Sequence, residues 1–427
     1  MSTRRSLAAT ILVVLAAACG DRHGATSSTA SRIQNLVVVI QENSSFDEYY
    51  ARYCQAPVGS TPSCNDGPAC CETGPATDPG SGLPPLLLDD RQHGAWGPVN
   101  ISSCELLAID GGRMDQFSKG GCGNPQNFAY ADSGTVGPYW DLARRSALAD
   151  RYFQPVAGAS SGNDMYFARA NFVFDDNDFE PPAIGAQCTG DKTNSYDDPT
   201  IGDLLADAGI PWTFYMVGYQ ATLDAIAQGT CPKPDPECPS QVPFFPCVYD
   251  ASDNPFQYYP RFRDNPAYIR DFSQLARDLA AGSLPAVSFI KPIGFRSEHP
   301  GDGNTISAGV SFVTSLVDTV LASSYGDRTL ILFTYDESGG FFDHVPPPPT
   351  SVVDGKSYGP RVPTMAIGPF ARRNYISHVT LEHSSIVKFI EWNWLGKVTG
   401  QLHTRDAVAN NLGSLLDPAA TGVAVPE

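Results

Sequence analysis

Positive charge is scarce in this chain: 28 Lys and Arg stand against 46 Asp and Glu, for a formal net charge of −18. No extended run of Lys or Arg occurs, which argues against a nucleic-acid binder, since phosphate backbones are held by concentrated positive charge. Any anionic substrate must therefore be met by a local cation. Long apolar stretches are also missing. The run from Leu7 to Ala18 is shorter than the about 20 apolar residues needed to cross a bilayer, so a transmembrane helix is disfavoured there. No CxxC pair or Cys/His spacing of a zinc site occurs, and no repeat of solenoid period is visible. What remains is a chain of 427 residues, long enough for one large α/β domain with insertions and a sizeable core.

The first residues, "MSTRRSLAATILVVLAAACG", place Arg4 and Arg5 before that apolar run and small residues before Cys19. This is the pattern of an export signal. Residues 1–18 are expected to be the signal, with Cys19 as the lipidation site that anchors the protein in a bacterial cell envelope; the Arg pair leaves a twin-arginine route open. Residues 19–32 are small and polar, as a flexible tether requires. A single domain is expected over 33–427. Beyond Cys19, ten cysteines remain, an even number that in an exported chain implies disulfides. Most fall in two Pro- and Cys-rich insertions near 54–90 and 228–262, which are expected to be disulfide-pinned surface loops. Their connectivity is not legible in the sequence.

Between the insertions, apolar β-type runs such as "NLVVVIQ", "IPWTFYMV", "PAVSFIKP" and "TLILFTYD" alternate with helical patterns such as "GPYWDLARRSALADR" and "GVSFVTSLVDTVLASS". Nearly continuous apolar strands separated by amphipathic helices predict an α/β fold, a three-layer α/β/α sandwich around a mainly parallel sheet. Ligands in such folds bind beyond the carboxyl ends of the strands. There the sequence places Glu42 and Asn43 after one strand, Asp336 and Glu337 after another, and Glu298 and His299 beyond a third. Oxygen ligands and a histidine converging from several strand ends are what a metal site requires. Ser160 follows Gly158 on a small-residue turn before a helical pattern, where a hydroxyl can face a phosphate; it fits an ordinary helix cap as well.

Four segments, "NLVVVIQENSSFDEYY", "GGRMDQF", "RYFQPVAGASSGNDMYF", and "EHPG" followed by "YDESGGFFDHVPPP" and "GPRVPTMAIGPFARRNYISHVTLEHSSIVKFIEW", occur in order across most of the chain. Together they resemble the bacterial phosphoesterases that include phosphocholine-type phospholipases C and respiratory-burst-inhibiting acid phosphatases. The resemblance implies an alkaline-phosphatase-like fold, with Glu42, Asn43 and Asp336 as metal ligands and Ser160 as nucleophile beside the metal. It implies Asn163 as a phosphate contact, and His299, with Glu337 beside Asp336, on the leaving group. His93 in "DDRQHGAW" matches an earlier family histidine. His344 is expected to touch substrate, although it and His383 fit hydrogen-bonded structural histidines equally well. The family commonly carries a basic residue after Asn163, and here Asp164 stands there. An acid at that point weakens anion binding unless it reaches a metal or a cation.

The expected activity is metal-dependent hydrolysis of phosphate esters through a phosphoserine, as an acid-phosphatase-like phosphomonoesterase. Two alternatives stand beside it: a phospholipase C acting on phosphodiesters, and a surface lipoprotein whose metal is structural. One divalent ion is expected, with Ca²⁺, Mg²⁺ and Zn²⁺ all compatible with the residues. Expected partners are a phosphate-ester small molecule or a phospholipid, and the membrane that holds the anchor.

Overall fold

The computed structural model describes residues 29–427. The expected export signal, Cys19 and most of the expected tether lie outside the described residues. Among those described, ten strands form: β1 (Asn35–Gln41), β2 (Leu86–Leu88), β3 (Ala129–Ala131), β4 (Ala147–Ala149), β5 (Trp212–Met216), β6 (Ile269–Asp271), β7 (Val287–Lys291), β8 (Thr329–Tyr335), β9 (Thr364–Ile367) and β10 (Tyr375–Ser377). Eight of them make the central sheet in the order β10-β4-β9-β8-β1-β7-β5-β6, and β2 and β3 make a separate ribbon. In the sheet only β9 runs against its neighbours, β4 and β8.

The apolar runs behave as their composition dictates. β1, β5, β7 and β8 are buried along their whole length, because helices cover both faces and leave no side of the strand for water. One helical layer contains Ser133–Arg144 and Ile306–Ala322; the other contains Ser160–Arg169, Ile201–Asp207 and His383–Trp394. The three-layer α/β/α architecture read from the sequence is therefore the observed one. One expected helix is too long: "GPYWDLARRSALADR" ends as helix at Arg144, and Ala147–Ala149 form β4.

The ten described cysteines form five disulfides: Cys54–Cys71, Cys64–Cys70, Cys104–Cys122, Cys188–Cys231 and Cys238–Cys247. Three of them lie wholly within the two expected insertions.

Register fixes what stands at the rim. Gln41 pairs with Tyr335 across β1 and β8, and Val39 pairs with Ile290 across β1 and β7. Glu42, Asp336 and Lys291 consequently emerge side by side at the carboxyl edge. At the opposite, amino edge the chain enters: the Ala30 amide donates to the Asn393 carbonyl, and the Ser31 hydroxyl and amide donate to the Asn393 side chain. No described helix is long and apolar enough to cross a membrane.

Candidate active site

Ser160 is the first residue of helix Ser160–Arg169, and the cap position is Ala159, with no side chain capping the helix. The capping explanation for this serine is thus removed. Its hydroxyl instead donates to Asn43 Oδ1 at 3.3 Å. Gly158 shapes the approach with φ +141, and a Cβ there would meet Asp176 Oδ1 at 2.5 Å. Asp176 is the hub of the turn, accepting from the amides of Ser102 and Ala159 at 2.7 and 3.1 Å. The Ser161 amide donates to Asn177, and the Gly162 amide to the Asp176 carbonyl. Three of the amides that could have faced a phosphate are therefore already engaged.

Asn163 braces the same turn from within. Its carbonyl accepts from the Val156 amide at 3.1 Å, and its NH₂ donates to the Gly158 and Ala159 carbonyls at 2.7 and 3.1 Å. Where the resemblance implies a phosphate contact, the structure has a residue that shapes the turn.

Across the turn lie the strand-end acids. The Asn43 amide donates to Asp336 Oδ1 at 3.2 Å, and Ser297 donates to Glu42 Oε2 at 2.5 Å. Asn43 thus contacts both Asp336 and Ser160 directly, with Glu42 beside it in the chain. At the focus of the acids stands a residue that the sequence reading passed over: Lys291, the last residue of β7. Its Nζ lies 2.6 Å from Asp164 Oδ2, 3.2 Å from both Glu42 Oε1 and Asp336 Oδ2, and 3.6 Å from Asp253 Oδ1. Asp164, the departure from the family pattern, thus reaches a cation. The signal was available, because a lysine ending an apolar strand raises the same question as an aspartate does.

Burial governs the electrostatics here. It pushes Asp164 and Asp336 up, against the pull of Lys291. Burial acts on Glu42 in the same sense, but Lys291, His299 and the Ser297 hydroxyl outweigh it and hold Glu42 below the usual range. Four carboxylates against one ammonium leave three formal negative charges uncompensated. Asp164 Oδ1 is buried without a hydrogen-bond partner among the described residues. An all-oxygen donor set with surplus negative charge and an unspent carboxylate oxygen fits a divalent cation of the hard type.

A second group, Asp47, Asp343 and His344, offers ligand atoms within 4.8 Å of one another. Its charge is already balanced: Arg361 donates to Asp343 at 2.9 Å and to Asp47 at 3.0 Å. His344 Nδ1 lies 2.7 Å from Asp47 Oδ2, and its Nε2 3.5 Å from Glu72. Burial opposes charging this ring, but Asp47 and Glu72 together raise it to about 9. The ring thus bridges Asp47 and Glu72. His383 bonds the Asp336 carbonyl through Nε2 at 2.7 Å and lies against Phe167, and burial lowers it to about 3. It fixes the strand end that carries Asp336.

The other expected residues occupy the surrounding walls. His299 is partly buried, with Nδ1 2.9 Å from the Pro300 carbonyl and Phe245 edge-on to the ring. His93 lies fully buried beside the Glu298–His299 backbone, both ring nitrogens without partners among the described residues, and burial lowers it to about 4. Glu337 accepts from Asn100 Nδ2 and the Gly339 amide, each at 2.5 Å; no contact joins it to His299 among the described residues. Glu298 is held by Gln41 at 3.0 Å, by Tyr335 at 2.7 Å and by Tyr139. Burial raises it to about 7. Glu105, unforeseen, accepts from the Gly158 amide at 2.8 Å and from Ser338 at 2.9 Å, tying the serine turn to the Asp336 loop.

A cleft of about 520 Å³ opens beside Ser161, lined by Asp178, Glu180, Asp191, Asp250 and Ser252 with Lys192. Phe256, Tyr258 and Tyr259 do not line it and are core residues. A roomier apolar cleft of about 660 Å³ lies on the flank between helices Ser273–Ala281 and Ile306–Ala322, away from the acids.

Acids and an amide at the carboxyl ends of parallel strands, facing a serine hydroxyl at a helix start, define a hydrolytic centre on an α/β/α scaffold. The chain belongs to the Phosphoesterase family, which it matches over residues 33–395, and is by that membership a phosphoric ester hydrolase. It is 24% identical to the non-hemolytic phospholipase C of Burkholderia pseudomallei over 86% of this chain and 55% of that protein. Phospholipase C B of Mycobacterium tuberculosis is 25% identical over 91% of this chain and 78% of its own length. For the hemolytic phospholipase C of Pseudomonas aeruginosa the figures are 25%, 93% and 57%. The chain thus spans little more than half of the Burkholderia and Pseudomonas proteins. Among solved structures, a protein of the alkaline phosphatase superfamily from Vibrio parahaemolyticus aligns over 89% of this chain and 72% of its own, at 12% identity and a TM-score of 0.37.

Proposed function

We propose that this chain hydrolyses phosphate monoesters through a phosphoserine formed on Ser160. The observation that carries the reading is the Ser160 hydroxyl, freed from capping and held by Asn43 at the edge of the Glu42/Asp336 centre. Glu42, Asn43, Asp336 and Ser160 would hold one divalent ion, and that ion would supply positive charge to a phosphoryl oxygen and to the serine oxygen. Asn43 orients the hydroxyl for in-line attack at phosphorus. The Ser160 O–H proton is lost to solvent as its oxygen bonds phosphorus, the P–O bond to the alcohol breaks, and His299 gives a proton to the departing oxygen and takes one back from water. Water then cleaves the phosphoserine, restoring the hydroxyl and releasing phosphate. Gly158, Asn163, Asp176 and Glu105 keep the serine turn rigid throughout.

Hydrolysis of p-nitrophenyl phosphate, p-nitrophenyl phosphocholine and phosphatidylcholine, with and without EDTA, tests this reading. Ser160→Ala is expected to lower kcat on the preferred ester roughly a thousand-fold or more while leaving the thermal transition in place. Turnover unchanged in Ser160→Ala would remove the nucleophile assignment, and activity indifferent to EDTA would remove the ion.

A second reading, phospholipase C activity on phosphodiesters, is supported by the names of the relatives and by the acidic cleft beside Ser161, whose carboxylates suit a cationic head group. The diester substrates in the same panel decide between the two.

A further inference from the structure

Lys291 gathers carboxylates from four separate parts of the chain: Glu42 after β1, Asp336 after β8, Asp164 on the serine helix and Asp253 in a loop. Its side chain has no solvent exposure, and neither do those of Asp164 and Asp336. A buried ammonium in that position is neither a surface ion pair nor a snorkelling side chain. Asp164 is four residues after Ser160 in the same helix, so the two share a helical face. The 2.6 Å contact from Lys291 to Asp164 therefore ties the nucleophile's helix to the sheet rim. The other oxygen of Asp164 is buried and unpartnered among the described residues.

We propose that Lys291 is a positioning residue for the phosphoester reaction: its ammonium holds Glu42, Asp336 and the Ser160 helix on one centre and shares their oxygens with the divalent ion. The Asp164–Lys291 pair then sets how tightly the ion is bound. This rests on the metal-dependent reading above. An ammonium close to two ligand carboxylates repels an arriving cation, while every acid around it attracts one. Removing the lysine and removing the aspartate should therefore shift ion affinity in opposite directions, which a purely structural role for the pair does not predict.

The full chain and its Lys291→Met, Lys291→Arg and Asp164→Asn variants are melted in EDTA and titrated calorimetrically with Ca²⁺, Mg²⁺ and Zn²⁺ in turn. Lys291→Met is expected to melt roughly 5–10 °C lower without metal, because acids are left unpaired in the interior, yet to bind the tightest-binding ion about tenfold more tightly or better. Lys291→Arg keeps the charge and is expected to stay within about threefold of the parent affinity. Asp164→Asn is expected to bind the ion about tenfold more weakly, and it carries the test if Lys291→Met does not fold. A parent that binds the ion, with Lys291→Met binding no tighter or Asp164→Asn no weaker, overturns the proposal and leaves the metal reading standing. Failure of the parent to bind any of the three ions removes the metal reading and this proposal with it.

Discussion

His344 shows how a single side chain in this fold links charge to stability. Its ring is held between Asp47 and Glu72 with Arg361 nearby, and its affinity for a proton rises in the folded state, to about 9. A histidine raised on folding stabilises fully below its unfolded value near 6.5 and loses that contribution as pH climbs through 9. Replacing it by His344→Gln should therefore cost most near pH 6, with an upper bound of roughly 3 kcal/mol. The gap in melting temperature between parent and variant should close toward pH 9.5; a gap independent of pH would refute the charged clamp. At this scale, legibility followed chain direction. Glu42, Asn43 and Asp336 were readable because each follows an apolar strand directly. Lys291 sits inside the strand boundary and was absorbed into the apolar run. Asp253 reaches the centre from a loop, and Glu105 approaches it from the short helix Ser102–Ile109, where too few residues mark a side chain's direction.

The serine turn is the element on which the site depends most. Gly158 adopts a backbone conformation that L-residues rarely take, and Asp176 fills the space where a Cβ would go. Gly158→Ala should cost about 2 kcal/mol or more in stability and displace the Asp176 hub. The consequence for turnover should exceed the consequence for folding, since Ser160 follows Gly158 by two residues. Thermal unfolding and kcat on the same sample check it; unaltered kcat would show that the hub does not position the serine. The long strands and helices were legible because each carries enough residues to display a period. β4, β6 and β10 have three residues each, too few for any pattern, and exist because neighbouring strands offer them hydrogen bonds. The same shortness explains why the helix through Arg144 was expected to run on over β4.

For the molecule as a whole, disulfides divide the insertions unequally. Cys188–Cys231 closes a separation of 43 residues and Cys64–Cys70 one of 6. On chain-entropy grounds the former is worth about 4 kcal/mol and the latter about 2. The Cys188→Ser/Cys231→Ser pair should therefore lower the denaturation midpoint more than Cys64→Ser/Cys70→Ser does, and the reverse order in urea titrations would refute the loop-length account. The sequence showed that the cysteines pair, but pairing partners are set by which loops the sheet brings together. The attachment of Ala30 and Ser31 to Asn393 carries a consequence of its own. Those contacts lie at the amino edge of the sheet, on the far side from the acids at its carboxyl edge. We propose that, if the chain is anchored ahead of Thr29 as its first residues suggest, this placement would turn the acid centre away from the anchoring surface and toward esters arriving from the surrounding water.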